Sequence, residues 1–208
     1  MPPEQGVAGS NPAVGTPSPT GPCDNRPVID PVDVRTAARV AVLAGFPLVN
    51  DHPDVAGVLR RPDLLAQLGP ALAAPFADAR ITAVCAPEAR GPILGALVAV
   101  ELGAGLVLVR KDERNHPGAD RRVVSAPTWR GASESFQTRS WDIEVGDRVL
   151  VVDDWVTTGS SLRAVRSLVH EAGAEYVGAS VLVHKTDADT VDDLQVAWLV
   201  RFEEIVGR

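Results

Sequence analysis

The chain has 208 residues, of which 45% are hydrophobic and 23% charged, with a formal net charge of −7. This is enough for one substantial core with appendages, and it argues against several independent domains. The acidic balance argues against non-specific nucleic-acid binding, and neither a membrane-length apolar segment nor a secretion signal is visible, so no nucleic-acid or membrane partner and a cytoplasmic location are expected.

Residues 1–27 are rich in Pro, Gly, Ser and Thr and poor in large apolar side chains, which predicts a disordered tail. From Asp33, the spacing of Val34, Ala37, Ala38, Ala41 and Val42 predicts a helix ending near Gly45, after which Phe46-Pro47 begins a loop. Leu64, Leu65, Leu68, Ala71, Leu72 and Phe76 predict a second amphipathic helix, with Pro62 in its first turn. Ile81 to Ala86 reads as a buried strand, Pro87 to Gly91 as a loop, Ile93 to Leu102 as a helix and Leu106 to Val109 as the next strand. A βαβ unit of this kind has a right-handed crossover and gathers ligands at the carboxyl ends of its strands.

Arg110 to Gly118 is a basic loop, and the segment from there to about Ser140 lacks clear periodicity; residues 112–140 are therefore expected to form an irregular lid. Tyr176 to His184 and Val196 to Val200 predict two further strands. The expected fold class is α/β, a doubly wound parallel sheet (residues 79–208) with a small N-terminal hood (residues 28–78), the two making one unit over 28–208. Cys85 lies in an apolar strand and Cys23 in the tail, so a disulfide is not expected, and no His, Cys or Asp spacing suggests zinc.

The most informative stretch runs from Val149 to Ser161. Val149-Leu150-Val151-Val152 is a strand buried on both faces, and it ends in Asp153-Asp154. Thr157-Thr158-Gly159-Ser160-Ser161 follows, and Leu162, Val165, Leu168 and Val169 then recur at helical spacing up to Gly173. Backbone N–H groups and hydroxyls at such a helix N-terminus suit a phosphate monoester. Two carboxylates would repel that phosphate, so their partners are ribose hydroxyls or a magnesium ion, and the whole reads as a receptor for a ribose 5-phosphate. A receiver-domain reading fails because too little chain follows the acids, and no Gly-Lys-Ser/Thr marks a nucleoside-triphosphate loop.

This stretch resembles the phosphoribosyl pyrophosphate signature of type I phosphoribosyltransferases, with Ser160 in place of the usual second glycine. Pro87-Glu88-Ala89-Arg90-Gly91 resembles the pyrophosphate loop of the adenine phosphoribosyltransferases, and Arg110-Lys111 with the basic loop ending at Pro117-Gly118 continues the resemblance in the family's order. The resemblance implies that Asp153 and Asp154 bind the ribose diol, that Thr157, Thr158, Gly159, Ser160 and Ser161 hold the 5-phosphate, and that Ala86, Pro87, Glu88, Ala89, Arg90, Arg110, Lys111 and Arg114 serve the pyrophosphate side. Asp153, Asp154 and Arg90 would be the catalytic set. It also implies Mg2+ held through substrate and water near the two aspartates, a homodimer, and purine salvage with adenine as acceptor.

Two departures keep alternatives open. The family's lid carries Glu-Tyr-Gly where this chain has Arg130-Gly131-Ala132, and a guanidinium cannot exchange a proton. Glu134 stands nearby, though an exposed surface glutamate is its simpler reading. The hood has Phe46-Pro47 but reads His52-Pro53-Asp54 where the family has Phe-Arg-Asp. Transfer to another nucleobase, or a non-catalytic phosphoribosyl pyrophosphate-binding regulator, therefore stands beside the adenine reading.

Overall fold

The computed structural model describes residues 31–111 and 116–207. The expected tail at 1–27, Cys23 and Arg114 lie outside the described residues. In chain order the elements are helix α1 (Pro31–Gly45), strands β1 (Leu48–Val49) and β2 (His52–Pro53), helices α2 (Val55–Leu59) and α3 (Pro62–Ala73) with a 3-10 turn at Ala74–Phe76, strand β3 (Ala83–Pro87), helix α4 (Gly91–Leu102) and strand β4 (Gly105–Lys111). They continue as strands β5 (Arg121–Val124), β6 (Ser135–Thr138) and β7 (Arg148–Val156), helix α5 (Ser160–Glu171), strand β8 (Glu175–His184), helix α6 (Ala188–Leu194), strand β9 (Val196–Arg201) and helix α7 (Phe202–Val206).

The main sheet has seven strands in the order β5-β6-β4-β3-β7-β8-β9. β4, β3, β7, β8 and β9 are parallel, whereas β5 and β6 are antiparallel additions at one edge. β7 lies centrally, as its apolar run demands, and its side chains divide between two cores. Leu150 and Val152 join Ala38, Leu68, Leu94 and Val98 under α1, α3 and α4, while Val149 and Val151 join Val165, Leu168 and Leu194 under α5 and α6. Helices therefore cover both faces, as in a doubly wound sheet. The hood helices α1 and α3 pack into the first of these cores.

The expected elements recur with displaced ends, and two differences bear on function. The 112–140 segment is not irregular throughout: Arg121–Val124 and Ser135–Thr138 pair as a hairpin, and β6 adds to β4 through Arg110 opposite Gln137 and Lys111 opposite Phe136. Phe136 is fully buried and anchors the hairpin. Its strands are only four residues long and rich in polar groups, so no period-2 signal stands out. The second difference is that β7 does not end at Val152 but runs through both aspartates to Val156. A strand can carry these charges because Asp153 Oδ1 accepts from the Asp154 N–H (2.8 Å) and Asp154 is paired with Arg90.

The hood contains a small hairpin, β1 with β2, that the sequence reading missed. Asn50 and Asp51 turn it with positive φ values of 50° and 62°, a geometry that suits short polar residues. Asp54 then caps α2, accepting from the N–H groups of Ala56 and Gly57 at 3.0 Å each. Helix α7 lies against β2.

Candidate active site

The carboxyl ends of the neighbouring strands β4, β3 and β7 lie side by side. β3 ends at Pro87, and Glu88 and Ala89 lead to Arg90 at the start of α4. That helix lies close to its strand because Gly95 has no side chain; a Cβ there would stand 2.7 Å from the Ala86 Cβ. Gly91 likewise sits against Asp153, where a Cβ would come within 3.1 Å of Oδ1. These close approaches bring the Arg90 side chain onto the end of β7, where Nε donates to Asp154 Oδ2 at 2.5 Å. Arg90 is half exposed and can turn towards a ligand.

Glu88 joins this loop to β4. Its Oε2 accepts from the Lys111 N–H (3.2 Å), and its Oε1 lies 3.1 Å from Arg110 Nε, an ion pair without hydrogen-bond alignment. Arg110 is thus ion-paired within the chain. Lys111 Nζ donates to Glu134 Oε1 at 2.6 Å. Glu134 is thus not a free surface residue: it reaches this edge because it immediately precedes β6, which pairs with β4.

Both aspartates are buried, and burial together with the neighbouring Asp154 charge pushes the Asp153 pKa well above the ordinary carboxylate value. A buried acidic pair of this kind favours a cation or hydroxyl donors beside it. Among the described residues no three His, Cys, Asp or Glu side chains cluster as metal ligands. Two oxygen donors are a fitting partial set for a hard divalent cation that takes its remaining ligands from substrate and water.

After β7 the chain turns through Thr157 and Thr158 to Gly159, whose φ of +72° sets the start of α5. A Cβ on Gly159 would meet Thr190 Cγ2 at 2.7 Å and Leu194 Cδ1 at 2.9 Å, so only glycine fits. Thr158 Oγ1 and Ser160 Oγ share a hydrogen bond of 2.7 Å, and Ser160 Oγ donates to the Pro127 carbonyl at 3.0 Å. Ser161 follows in the first turn, where the unpaired N–H groups of the helix gather. Arg163 braces the loop from behind: Nη1 donates to the Thr158 carbonyl at 2.8 Å, Nη2 to Thr190 Oγ1 at 3.3 Å and Nε to Asp193 at 3.0 Å. Sequence spacing gave no sign of this brace, because Thr190 and Asp193 come from α6.

The structure therefore brings Ala86 to Arg90, Arg110, Lys111, Asp153, Asp154 and Thr157 to Ser161 to the carboxyl edge of the sheet; Arg114 lies outside the described residues. Arg130, at the tip of the β5–β6 hairpin, stacks on exposed Trp129 with its guanidinium 4.8 Å from the ring centre. Trp155 packs against Phe202 (6.0 Å between ring centres), and Lys185 Nζ stands 3.7 Å over the Phe202 ring. His184 stacks on Trp198 at 4.6 Å and is buried, and neither ring nitrogen has a hydrogen-bond partner among the described residues. Cys85 is fully buried, and desolvation pushes its thiol pKa upward, as suits a packing residue.

The phosphoribosyl transferase domain family matches residues 58–204. An adenine phosphoribosyltransferase of Streptomyces coelicolor is 39% identical over 142 residues, covering 65% of this chain and 76% of the relative. That of Myxococcus xanthus is 38% identical over 132 residues, covering 62% and 69%. Among solved structures, the adenine phosphoribosyltransferase of Rhodothermus marinus superposes with a TM-score of 0.66 at 29% identity, covering 80% of this chain and 99% of that one. The family match spans more than half of the chain, and the chain belongs to the phosphoribosyl transferase domain family.

Proposed function

We propose that the protein transfers the ribosyl 5-phosphate of phosphoribosyl pyrophosphate to adenine, giving AMP and pyrophosphate, as a step of purine salvage in the cytoplasm. The observation that supports this reading is the buried Asp153-Asp154 pair, which the hydroxyl-and-glycine loop follows in the chain and which Arg90 meets through Asp154, with Lys111 tied to the Arg90 loop through Glu88. The adenine phosphoribosyltransferase relatives supply the acceptor.

In the reaction, purine N9 forms a bond to C1′ while the bond from C1′ to the pyrophosphate oxygen breaks. The electron pair leaves with pyrophosphate, and the N9 proton is lost to a base. Positive charge grows on the sugar and negative charge on the leaving group, so catalysis is chiefly electrostatic and positional. The backbone of Gly159 to Ser161 and the hydroxyls of Thr157, Thr158, Ser160 and Ser161 hold the 5-phosphate; Asp153 and Asp154 hold the ribose diol and face the cationic sugar. Arg90 and Lys111, with the Ala86 to Ala89 backbone, receive the pyrophosphate, and Arg110 holds Glu88 in place beneath it. Mg2+ bound beside Asp153 and Asp154, through substrate and water, would supply further charge neutralisation for the leaving group.

A homodimer is part of the same proposal. Ile93 and Val100 on α4, together with Leu106 and Leu108 on β4, leave a set of large apolar side chains exposed on neighbouring elements, which suits a second copy of this chain. A panel of bases tests the acceptor: pyrophosphate release with adenine, and little with hypoxanthine or a pyrimidine, is the expected pattern. Turnover with hypoxanthine and none with adenine would overturn the acceptor assignment while leaving the donor site intact.

A further inference from the structure

Among the described residues, three cations of the site are each met by a carboxylate of the chain: Arg90 by Asp154, Arg110 by Glu88 and Lys111 by Glu134. Asp154 lies on the central strand and Glu88 in the β3–α4 loop, so both belong to the fixed rim. Glu134 belongs to the hairpin. Its N–H donates to Ser125 Oγ (3.0 Å) and its carbonyl accepts from the Ser125 N–H (2.8 Å), so it sits where the hairpin strands part towards the Trp129–Arg130 tip. The Lys111 backbone is fixed opposite Phe136, whereas the side chains of Lys111 and Glu134 are each about a third exposed (31% and 33%). A solvent-borne anion can therefore reach the ammonium and compete with the carboxylate.

We infer that Glu134 is a resident counter-ion of the pyrophosphate half-site, exchanged for a phosphoryl oxygen when the donor binds; this rests on the reading under Proposed function. In the free site the carboxylate holds Lys111 extended along the hairpin. Pyrophosphate displaces it, and the freed carboxylate, now beside a like-charged ligand, is repelled together with the hairpin end that carries it. The same hairpin is tied at its other side by Ser160 Oγ donating to the Pro127 carbonyl, and a 5-phosphate competes for that hydroxyl. Both ends of the donor substrate thus loosen ties between the hairpin and the site. Glu134 is a positioning residue here, acting through Lys111.

The test is calorimetric titration of pyrophosphate with magnesium into the full-length wild type, Glu134→Gln and Glu134→Asp at low ionic strength. Glu134→Gln is expected to bind pyrophosphate about threefold to tenfold more tightly, because the competing carboxylate is gone, with a gain that shrinks in high salt. Glu134→Asp is expected to stay near wild type, and all three proteins to melt alike. In a Lys111→Ala background Glu134→Gln is expected to give much less gain, which separates ion-pair exchange from a general change in shape. Unchanged or weaker binding by Glu134→Gln, or the same gain without Lys111, would overturn the exchange alone. Failure of the wild type to bind either pyrophosphate or phosphoribosyl pyrophosphate would overturn the site reading, and the exchange with it.

Discussion

Gly159 is the residue on which the geometry of the Thr157–Ser161 loop turns, and Gly159→Ala is the perturbation with the most readable energy. Its φ of +72° costs an alanine about 1–2 kcal/mol. The added Cβ would also stand 2.7 Å from Thr190 Cγ2 and 2.9 Å from both Leu194 Cδ1 and Arg163 Nη1, and overpacking of this kind typically costs about 1–3 kcal/mol. The sum, roughly 2–5 kcal/mol, corresponds to a melting point lower by about 5–15 °C for a chain of this size. Gly103→Ala separates the two contributions. Gly103 has φ +64° but nothing within 4 Å of its missing Cβ, so it should lose only the backbone part, about 1–2 kcal/mol. Relief of the Gly159 clash must move α6 or the loop, taking the Ser160 and Ser161 N–H groups out of place. The KM for phosphoribosyl pyrophosphate is therefore expected to rise on the order of tenfold, while Gly103→Ala leaves it unchanged. Urea denaturation and steady-state kinetics on both variants make the comparison. Equal destabilisation of the two, or a wild-type KM in Gly159→Ala, would refute the reasoning.

Asp153→Asn should separate stability from activity. Because the folded state raises the Asp153 pKa, it binds more protons than the unfolded chain, and wild-type stability falls as pH rises from the unfolded carboxylate value, about 3.9, through the folded one. Asparagine removes that dependence, so its stability advantage should widen as pH rises and then level off, as followed by melting across pH, while turnover is lost; an advantage that shrinks with rising pH would contradict the burial argument. Val100→Glu places a charge in the exposed apolar set on α4 and should turn a dimer into a monomer in sedimentation without lowering monomer helicity, whereas an unaltered dimer would move the interface elsewhere.

What the sequence made legible was the part whose physics is local. Val149 to Val152 could only be a two-face-buried strand, and Gly159 before Leu162, Val165 and Leu168 could only open a helix, so the central strand, loop and helix were readable together. Arg90 and Lys111 were reachable because a βαβ unit places successive strand ends on one edge. Contacts that depend on register or on distant segments were hidden. Glu134 meets Lys111 only because a hairpin of four-residue strands adds antiparallel to β4, and Arg163 braces Thr158 only because α6 returns beneath the loop. The charges of Asp153 and Asp154 suggested a strand end, yet Arg90 and the Asp154 N–H, supplied by tertiary and local geometry, let the strand continue.

The most direct test is pyrophosphate release from phosphoribosyl pyrophosphate with adenine and magnesium, comparing wild type with Asp153→Asn/Asp154→Asn. Adenine-dependent release by the wild type, reduced by at least about a hundredfold in the double variant while its fold is retained, is the predicted result. Release that is unchanged in the double variant would show that the chemistry lies elsewhere in the molecule.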